Sequence, residues 1–201
     1  MPRDKYLQRM KKRVIIVHGW DGYPEEGWFP WLKKELEAKG FEVIVPQLPD
    51  PETPRIQKWV PALAKVVGTP DARTYFVGHS MGCQAIARYL EKLPTGVAVG
   101  GIVSVAGFFK RITAEDDPDV QETDRLWLGA PIDLMKVKSH FKKGIAIFSD
   151  NDPYVPLDNH DDFKTKLGCD IVIEHGKGHF SGSTGTIELP AALAAVIAIS
   201  S

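Results

Sequence analysis

Short apolar runs that end at turns recur along the chain and predict strands. They lie at residues 14–17, 41–45, 75–77, 102–105, 145–148 and 171–173. The runs are continuous rather than alternating with polar residues, which is typical of strands buried on both faces of a parallel sheet.

Helical patterns lie between these runs, with apolar residues three and four positions apart. They cover residues 28–39, 56–67, 86–93, 189–197 and, more weakly, 157–167. Pro61 lies inside the second pattern and indicates a late start or a kink. Because strands alternate with helices, the sequence predicts an α/β fold: a mostly parallel sheet of about six strands with helices on both faces.

Residues 108–143 form an unusually long connection between two predicted strands. Connections of about 35 residues are uncommon inside compact domains and are usually functional or flexible. Its first half is acidic and its second half is apolar. The segment is too short for an independent core, so it predicts at most a small cap and no large lid domain.

Length and composition limit the function further. The 201 residues predict a single domain over residues 13–201 that follows a basic tail, residues 1–12. The net charge of −1 argues against a nucleic-acid partner bound through bulk positive charge. No apolar run reaches the ~18 residues that span a bilayer, and the N-terminus lacks the apolar stretch of a signal peptide. We therefore expect a cytoplasmic protein without a membrane or nucleic-acid partner.

The most specific motif lies where the third apolar run meets a helical pattern. It is Gly78-His79-Ser80-Met81-Gly82, a G-x-S-x-G pattern between a strand and a helix. In that context the serine occupies a strained turn, and the two glycines let the strand and the helix approach closely. The turn places the Ser80 hydroxyl at a helix N-terminus, where backbone N–H groups favour negative charge. The pattern predicts a serine nucleophile.

A serine nucleophile needs a general base, and the base needs an acid that orients it. The chain order Ser, Asp, His that accompanies this motif leaves two candidates for each role. Asp150 and Asp152 follow the fifth apolar run, and His175 and His179 follow the sixth. Because the carboxyl ends of parallel strands share one edge of the sheet, every candidate lies at the same edge as Ser80.

Together these motifs resemble those of the α/β-hydrolase superfamily. Within it, the chain resembles the group of small serine hydrolases that contains retinoblastoma-binding protein 9 and the bacterial YdeN protein. The segments that carry the resemblance are His-Gly-Trp-Asp-Gly at 18–22, Gly-His-Ser-Met-Gly at 78–82, Ser-Asp-Asn-Asp-Pro-Tyr-Val-Pro at 149–156 and Gly-His-Phe at 178–180. The resemblance implies a compact α/β-hydrolase fold and hydrolysis through an acyl-enzyme.

The resemblance also implies a role for individual residues. An aspartate three residues before Val-Pro falls on Asp152, and the Gly-His-Phe segment falls on His179, so the implied triad is Ser80, Asp152 and His179. The backbone N–H of Met81, directly after the nucleophile, is expected in the oxyanion hole. By resemblance, the backbone N–H of Trp20 supplies the second donor.

Two residues are candidates for the substrate pocket. Trp127 belongs to the apolar half of the long connection, which is expected to fold over the edge of the sheet and partly roof a small pocket above Ser80. The alternative is that Trp127 only packs the connection onto the domain. His18 follows the first strand and lies either beside the pocket or in hydrogen bonds that hold its own loop.

These observations predict a serine hydrolase, specifically a carboxylesterase that acts on small-molecule acyl esters. The alternative is a protein-interaction module that keeps the hydrolase fold with little turnover; no protein partner can be read from the sequence. No metal or cofactor is expected, because glycines between His175 and His179 break the helix that an H-E-x-x-H zinc site requires. Cys83 and Cys169 are expected to be buried thiols without a function.

Overall fold

The computed structural model describes residues 11–113 and 118–201, so most of the predicted N-terminal tail lies outside the described residues. Within them, six strands form one sheet, and every neighbouring pair is parallel. The strands are β1 Arg13–Val17, β2 Glu42–Ile44, β3 Thr74–His79, β4 Val99–Val105, β5 Phe141–Ser149 and β6 Asp170–Glu174. The predicted sheet is confirmed, although β5 begins earlier than the apolar pattern indicated.

The strand order is β2-β1-β3-β4-β5-β6. The chain leaves β1 for β2 on one side and then crosses to β3 on the other side of β1. The direction of winding therefore reverses between β1 and β3, and open α/β sheets bind their ligands beyond the carboxyl ends of strands at such a reversal. Residues 18–22 follow β1 and residues 80–82 follow β3, so two of the four predicted segments meet at this point.

Successive strand residues point into two separate apolar clusters. In β1, Ile15 and Val17 belong to the cluster on one face, whereas Val14 and Ile16 belong to the cluster on the other. All four side chains are fully buried. Successive residues in the middle of β1 are apolar because both faces of the sheet are covered, which explains the continuous run in the sequence.

Helices cover both faces, as predicted. The helices are α1 Phe29–Ala38, α2 Ile56–Val67, α3 Met81–Glu91, α4 Pro118–Leu128, α5 Leu134–Ser139, α6 His160–Thr165 and α7 Pro190–Ser200, with 3₁₀ turns at Leu157–Asn159 and Gly182–Thr184. Apolar residues of α1 and α7 join one cluster, and those of α2 and α3 join the other. The late start expected for α2 is wrong, because the helix begins at Ile56 with Pro61 inside it.

The long connection contains α4 and α5, and Trp127 near the end of α4 fixes it to the domain. The Trp127 side chain is fully buried, and its Nε1–H donates to the Pro54 carbonyl at 2.9 Å. Its ring meets the Trp59 ring edge to face, with 5.7 Å between centroids. The acidic residues at 115–117 lie outside the described residues. Trp127 therefore packs the connection against α2, the alternative that the sequence left open.

Arg88 of α3 makes a second attachment to the same segment. Arg88 is buried, and its guanidinium donates to the carbonyls of Trp127, Ala130 and Pro131. Carbonyls at the C-terminal end of a helix have no hydrogen-bond partner within the helix and carry a partial negative charge. The buried guanidinium supplies the missing donors and a compensating positive charge. Burial lowers the pKa of this guanidinium.

Replacing Trp127 with alanine should remove the contact between the long connection and α2. We expect Trp127→Ala to lower the free energy of unfolding by about 3–5 kcal/mol, the usual loss for a buried tryptophan, measured by urea denaturation. Arg125→Ala, an exposed change on the same helix, is the control and should alter the free energy by less than about 0.5 kcal/mol. A loss equal to that of the control would contradict the packing role.

Candidate active site

Ser80 occupies the sharp turn between β3 and α3. Its backbone has φ 51° and ψ −119°, a left-handed conformation that non-glycine residues adopt only under strain of about 1–3 kcal/mol. The turn is held from β4, because the Ser80 N–H donates to the Val105 carbonyl at 2.8 Å. The side chain thus lies at the N-terminus of α3, at the edge of the sheet where the order of strands reverses.

The glycines on either side of Ser80 are required by close packing. A Cβ atom on Gly82 would lie 2.3 Å from the Val17 carbonyl oxygen, and one on Gly78 would lie 2.9 Å from the Cα atom of Cys83. Neither position has room for a side chain, because backbone atoms cannot move aside. The predicted reason for the G-x-S-x-G pattern is confirmed.

His179 is hydrogen-bonded to Asp152 beside this turn. Its Nδ1 atom lies 2.8 Å from Oδ2 and 3.1 Å from Oδ1 of Asp152, and the Asp152 side chain is 2% exposed. Oδ1 also accepts the backbone N–H groups of Tyr154 and Val155. Because the carboxylate accepts the Nδ1 proton, Nε2 of the neutral ring carries a free lone pair, as a general base must.

The second histidine and aspartate form a pair of their own. His175 Nδ1 lies 2.6 Å from Asp150 Oδ2, and the His175 side chain is 86% exposed. The hydrogen bond that His175 donates to Asp150 raises the pKa of His175. The structure therefore pairs each candidate base with one candidate acid, and only His179 lies in the same cavity as Ser80.

The two residues expected to supply oxyanion donors, Trp20 and Met81, both line the cavity that contains Ser80. Gly19 packs against Ser80, since a Cβ on Gly19 would lie 3.1 Å from the serine Cβ, so the loop that carries Trp20 lies against this turn. Met81 is the first residue of α3, so its N–H has no partner in the helix. Within the described part of the chain, neither N–H donates to a backbone carbonyl, whereas the neighbouring Asp21 N–H donates to Pro51.

A cavity of about 740 Å³ opens over these groups. Ser80, His179, Trp20 and Met81 all line it, and its apolar wall includes Phe108, Ile112, Val120 and Val155. No hydrogen bond joins the side chains of Ser80 and His179 among the described contacts. In ligand-free enzymes such catalytic contacts are often long and shorten when the substrate binds.

Comparison with known proteins gives the family. A family model described as "Serine hydrolase" matches residues 14–197. The chain belongs to the serine hydrolase family. It is 35% identical over 182 residues to the YdeN protein of Bacillus subtilis (strain 168), covering 90% of this chain and 92% of YdeN. It is 26% identical to the serine hydrolase RBBP9 of Rattus norvegicus over 174 residues, covering 85% of this chain and 88% of RBBP9.

Solved structures agree with this assignment. The crystal structure of the ydeN gene product from B. subtilis superimposes with a TM-score of 0.86 at 32% identity, covering 94% of this chain and 98% of that one. Est1E from Butyrivibrio proteoclasticus shares the fold at 15% identity with a TM-score of 0.68, covering 94% of this chain and 86% of Est1E. The compact α/β-hydrolase fold expected from the motifs is confirmed.

Two expected pocket residues of this serine hydrolase lie elsewhere. His18 is fully buried outside the cavity lining; its Nε2 accepts the Leu48 N–H at 3.0 Å and its Nδ1–H donates to the Gly19 carbonyl. It therefore holds its loop, as the alternative proposed. Trp127 is also absent from the lining, because its ring packs against α2. The expectation that either residue lines the pocket is wrong.

His79, which the sequence analysis did not single out, holds the segment that carries His179. Its Nε2–H donates to the His179 carbonyl at 2.8 Å. Burial, with a smaller contribution from His179, lowers the pKa of His79 to about 3, so the ring is neutral at physiological pH. Trp28 acts in the same way, since its Nε1–H donates to the Phe180 carbonyl at 2.9 Å. The sequence signal that could have drawn attention to His79 is its position directly before Ser80.

The segment after β5 binds the same loop from the other side. Ser149 Oγ accepts the Lys177 N–H, Asp150 Oδ1 accepts the Gly176 N–H, and Asn151 Oδ1 accepts the Gly178 N–H. With the bond between Asp152 and His179, four successive side chains bind four residues of the loop. Residues 149–152 and 176–179 therefore form one hydrogen-bonded unit.

No group of three or more His, Cys, Asp or Glu side chains could hold a metal ion in residues 11–113 and 118–201. Cys83 and Cys169 are buried free thiols, as predicted, and burial raises the pKa of each to about 12. Among the described helices, none is long and apolar enough to cross a membrane.

Proposed function

We propose that this serine hydrolase is a carboxylesterase for small acyl esters, with Ser80, His179 and Asp152 as its triad. The observation that carries the proposal is that His179, hydrogen-bonded to the buried Asp152, lines the same cavity as the strained Ser80 turn. The hydrogen bond at Nδ1 fixes both the orientation and the tautomer of the imidazole.

The chemistry proceeds in two halves. Ser80 Oγ attacks the ester carbonyl carbon and gives its proton to His179 Nε2, while the developing oxyanion accepts the N–H groups of Trp20 and Met81. The C–O bond to the alcohol then breaks, and the alcohol leaves with the proton from Nε2. In the second half a water molecule, deprotonated by the same nitrogen, attacks the acyl-enzyme and releases the acid. Neither half requires a metal ion or a cofactor.

The strained serine favours this function over a protein-interaction module. A binding surface gains nothing from a left-handed serine that costs about 1–3 kcal/mol. Ser80 also faces a cavity rather than a flat surface. The structure offers no specific observation in favour of the interaction module.

A fluorophosphonate probe tests the nucleophile. Such probes phosphonylate only activated serines, so we expect one modified residue, Ser80, when the labelled protein is digested and analysed by mass spectrometry. Prior incubation with a small ester should slow the labelling. Modification of Ser149, Ser181 or Ser183 instead would refute the assignment.

The acyl preference tests the substrate class. A cavity of about 740 Å³ is the size of an ordinary small-molecule site and must hold both halves of the ester. We expect the highest kcat/KM for the two- or four-carbon p-nitrophenyl ester in a series of two, four, eight and twelve carbons. A maximum at twelve carbons would indicate a lipase-like site and would contradict small acyl substrates.

A further inference from the structure

The charged side chains in the described lining of the active-site cavity are carboxylates. Its lining includes two carboxylates, Asp21 and Glu26, and no lysine or arginine among the described lining residues. The two histidines of the lining do not balance this charge, since His79 is held neutral and His179 must be neutral to act as a base. The charged side chains of the described lining are therefore carboxylates, which favour a cation over an anion.

Glu26 lines the cavity beside the loop that follows β1. A Cβ on Gly22 would lie 2.9 Å from Glu26 Oε2 and 3.0 Å from the Gly19 carbonyl oxygen, so the carboxylate lies over the loop that packs against Ser80. Its backbone is fixed, because the Glu26 N–H donates to Tyr23 and its carbonyl accepts the Phe29 N–H at the start of α1. The carboxylate is thus held at the cavity wall by an ordered turn.

Within the described part of the chain, neither Glu26 nor Asp21 forms an ion pair with a lysine or arginine. Glu26 is half-buried, and this burial raises the pKa of its carboxyl, with Asp21 contributing in the same direction and His179 opposing it. A carboxylate that is partly removed from water and unpaired gains from any cation that comes beside it.

We propose that the cavity selects esters that carry an ammonium group and rejects anionic esters, with Glu26 as the residue that sets this preference. The inference rests on the proposed esterase function and names its substrate class. The apolar wall of Phe108, Ile112 and Val120 receives the hydrocarbon part of the substrate, and the acidic wall receives the cation. A carboxylate several ångströms from a charged group of the substrate changes the binding of that group by roughly tenfold.

Three p-nitrophenyl esters of matched shape provide the test. Their acyl groups are 4-(trimethylammonio)butanoate, the neutral isostere 5,5-dimethylhexanoate and the anion 4-sulfobutanoate, so that the leaving group is constant. A second series places the same three charges on a thiol leaving group: S-butyryl thiocholine, its 3,3-dimethylbutyl analogue and S-butyryl 2-mercaptoethanesulfonate. In at least one series, kcat/KM for the cation should exceed that for the anion by about tenfold or more.

Substitution of Glu26 tests whether this residue sets the preference for cationic esters. Glu26→Gln should reduce the cation-to-anion ratio at least threefold, and the neutral ester reports any general effect on catalysis. Glu25→Gln is the control, because Glu25 is exposed, adjacent in sequence and outside the lining. High salt should also reduce the ratio in the wild type by screening.

The outcomes separate this inference from the proposed function. Hydrolysis of the neutral esters with no preference for the cation in either series would overturn the inference and leave the esterase intact. A preference that survives Glu26→Gln but disappears in Asp21→Asn would overturn the assignment to Glu26. Failure of the wild type to hydrolyse any of the six esters would overturn the esterase proposal itself.

Discussion

Ser80→Ala should hydrolyse p-nitrophenyl butyrate about 10⁶-fold more slowly than the wild type, at the level of the uncatalysed reaction assisted only by binding. In a triad, loss of the nucleophile removes the covalent pathway altogether, and the comparable change in a serine protease costs about 2 × 10⁶ in kcat. The measurement is initial-rate kinetics on purified protein, with the background rate subtracted.

The fold of this variant should remain unchanged. Alanine has the same Cβ as serine, so the left-handed strain at position 80 is neither relieved nor increased. Ser183→Ala is the matched control, since Ser183 also lines the cavity but lies in the 3₁₀ turn after His179. Activity that survives in Ser80→Ala, or that disappears equally in Ser183→Ala, would place the nucleophile elsewhere.

The second large effect is expected from Asp152→Asn, which should lower kcat by about 10⁴-fold with little change in stability. The asparagine carbonyl can still accept the N–H groups of Tyr154 and Val155 at the position of Oδ1. Its amide then faces His179 Nδ1 as a donor, so the ring must carry its proton on Nε2. A base with that proton cannot accept another from Ser80.

Asp150→Asn is the control for this experiment. It changes the same functional group two residues earlier, but its partner His175 is exposed and lies outside the cavity. Activity of Asp150→Asn should remain within a few-fold of the wild type, and the pKa of His175 should fall towards its ordinary value. A larger loss in Asp150→Asn than in Asp152→Asn would exchange the roles of the two aspartates.

The sequence was informative wherever a local pattern determines structure. The six apolar runs gave the parallel sheet, and the glycines at 78 and 82 marked a turn without room for side chains. The pairing of Asp152 with His179 followed from a family pattern, whereas the residues alone left Asp150 and His175 equally possible. The two pairs differ in which histidine lies in the cavity with Ser80, and this depends on the packing of distant elements rather than on local sequence.

The contacts of Trp127 and His79 could not be predicted from the sequence. An apolar stripe indicates that Trp127 is buried, but it does not say whether the ring covers a pocket or packs against Trp59. His79 has its partner 100 residues away in the chain, at the His179 carbonyl. Such contacts are set by how the elements pack together, so periodicity and spacing cannot reveal them.

The loop that presents His179 is held through its backbone, and this determines what remains when the side chain is removed. From Gly176 to Phe180, every residue has a main-chain N–H or carbonyl bound to a side chain of another element. None of these five bonds uses the side chain of His179. Truncation of residue 179 would thus leave an imprint of the ring between Asp152, Tyr154 and His79, open to the cavity. Free imidazole matches that vacancy in shape and hydrogen bonding, so we expect imidazole from solution to be able to replace the proposed base.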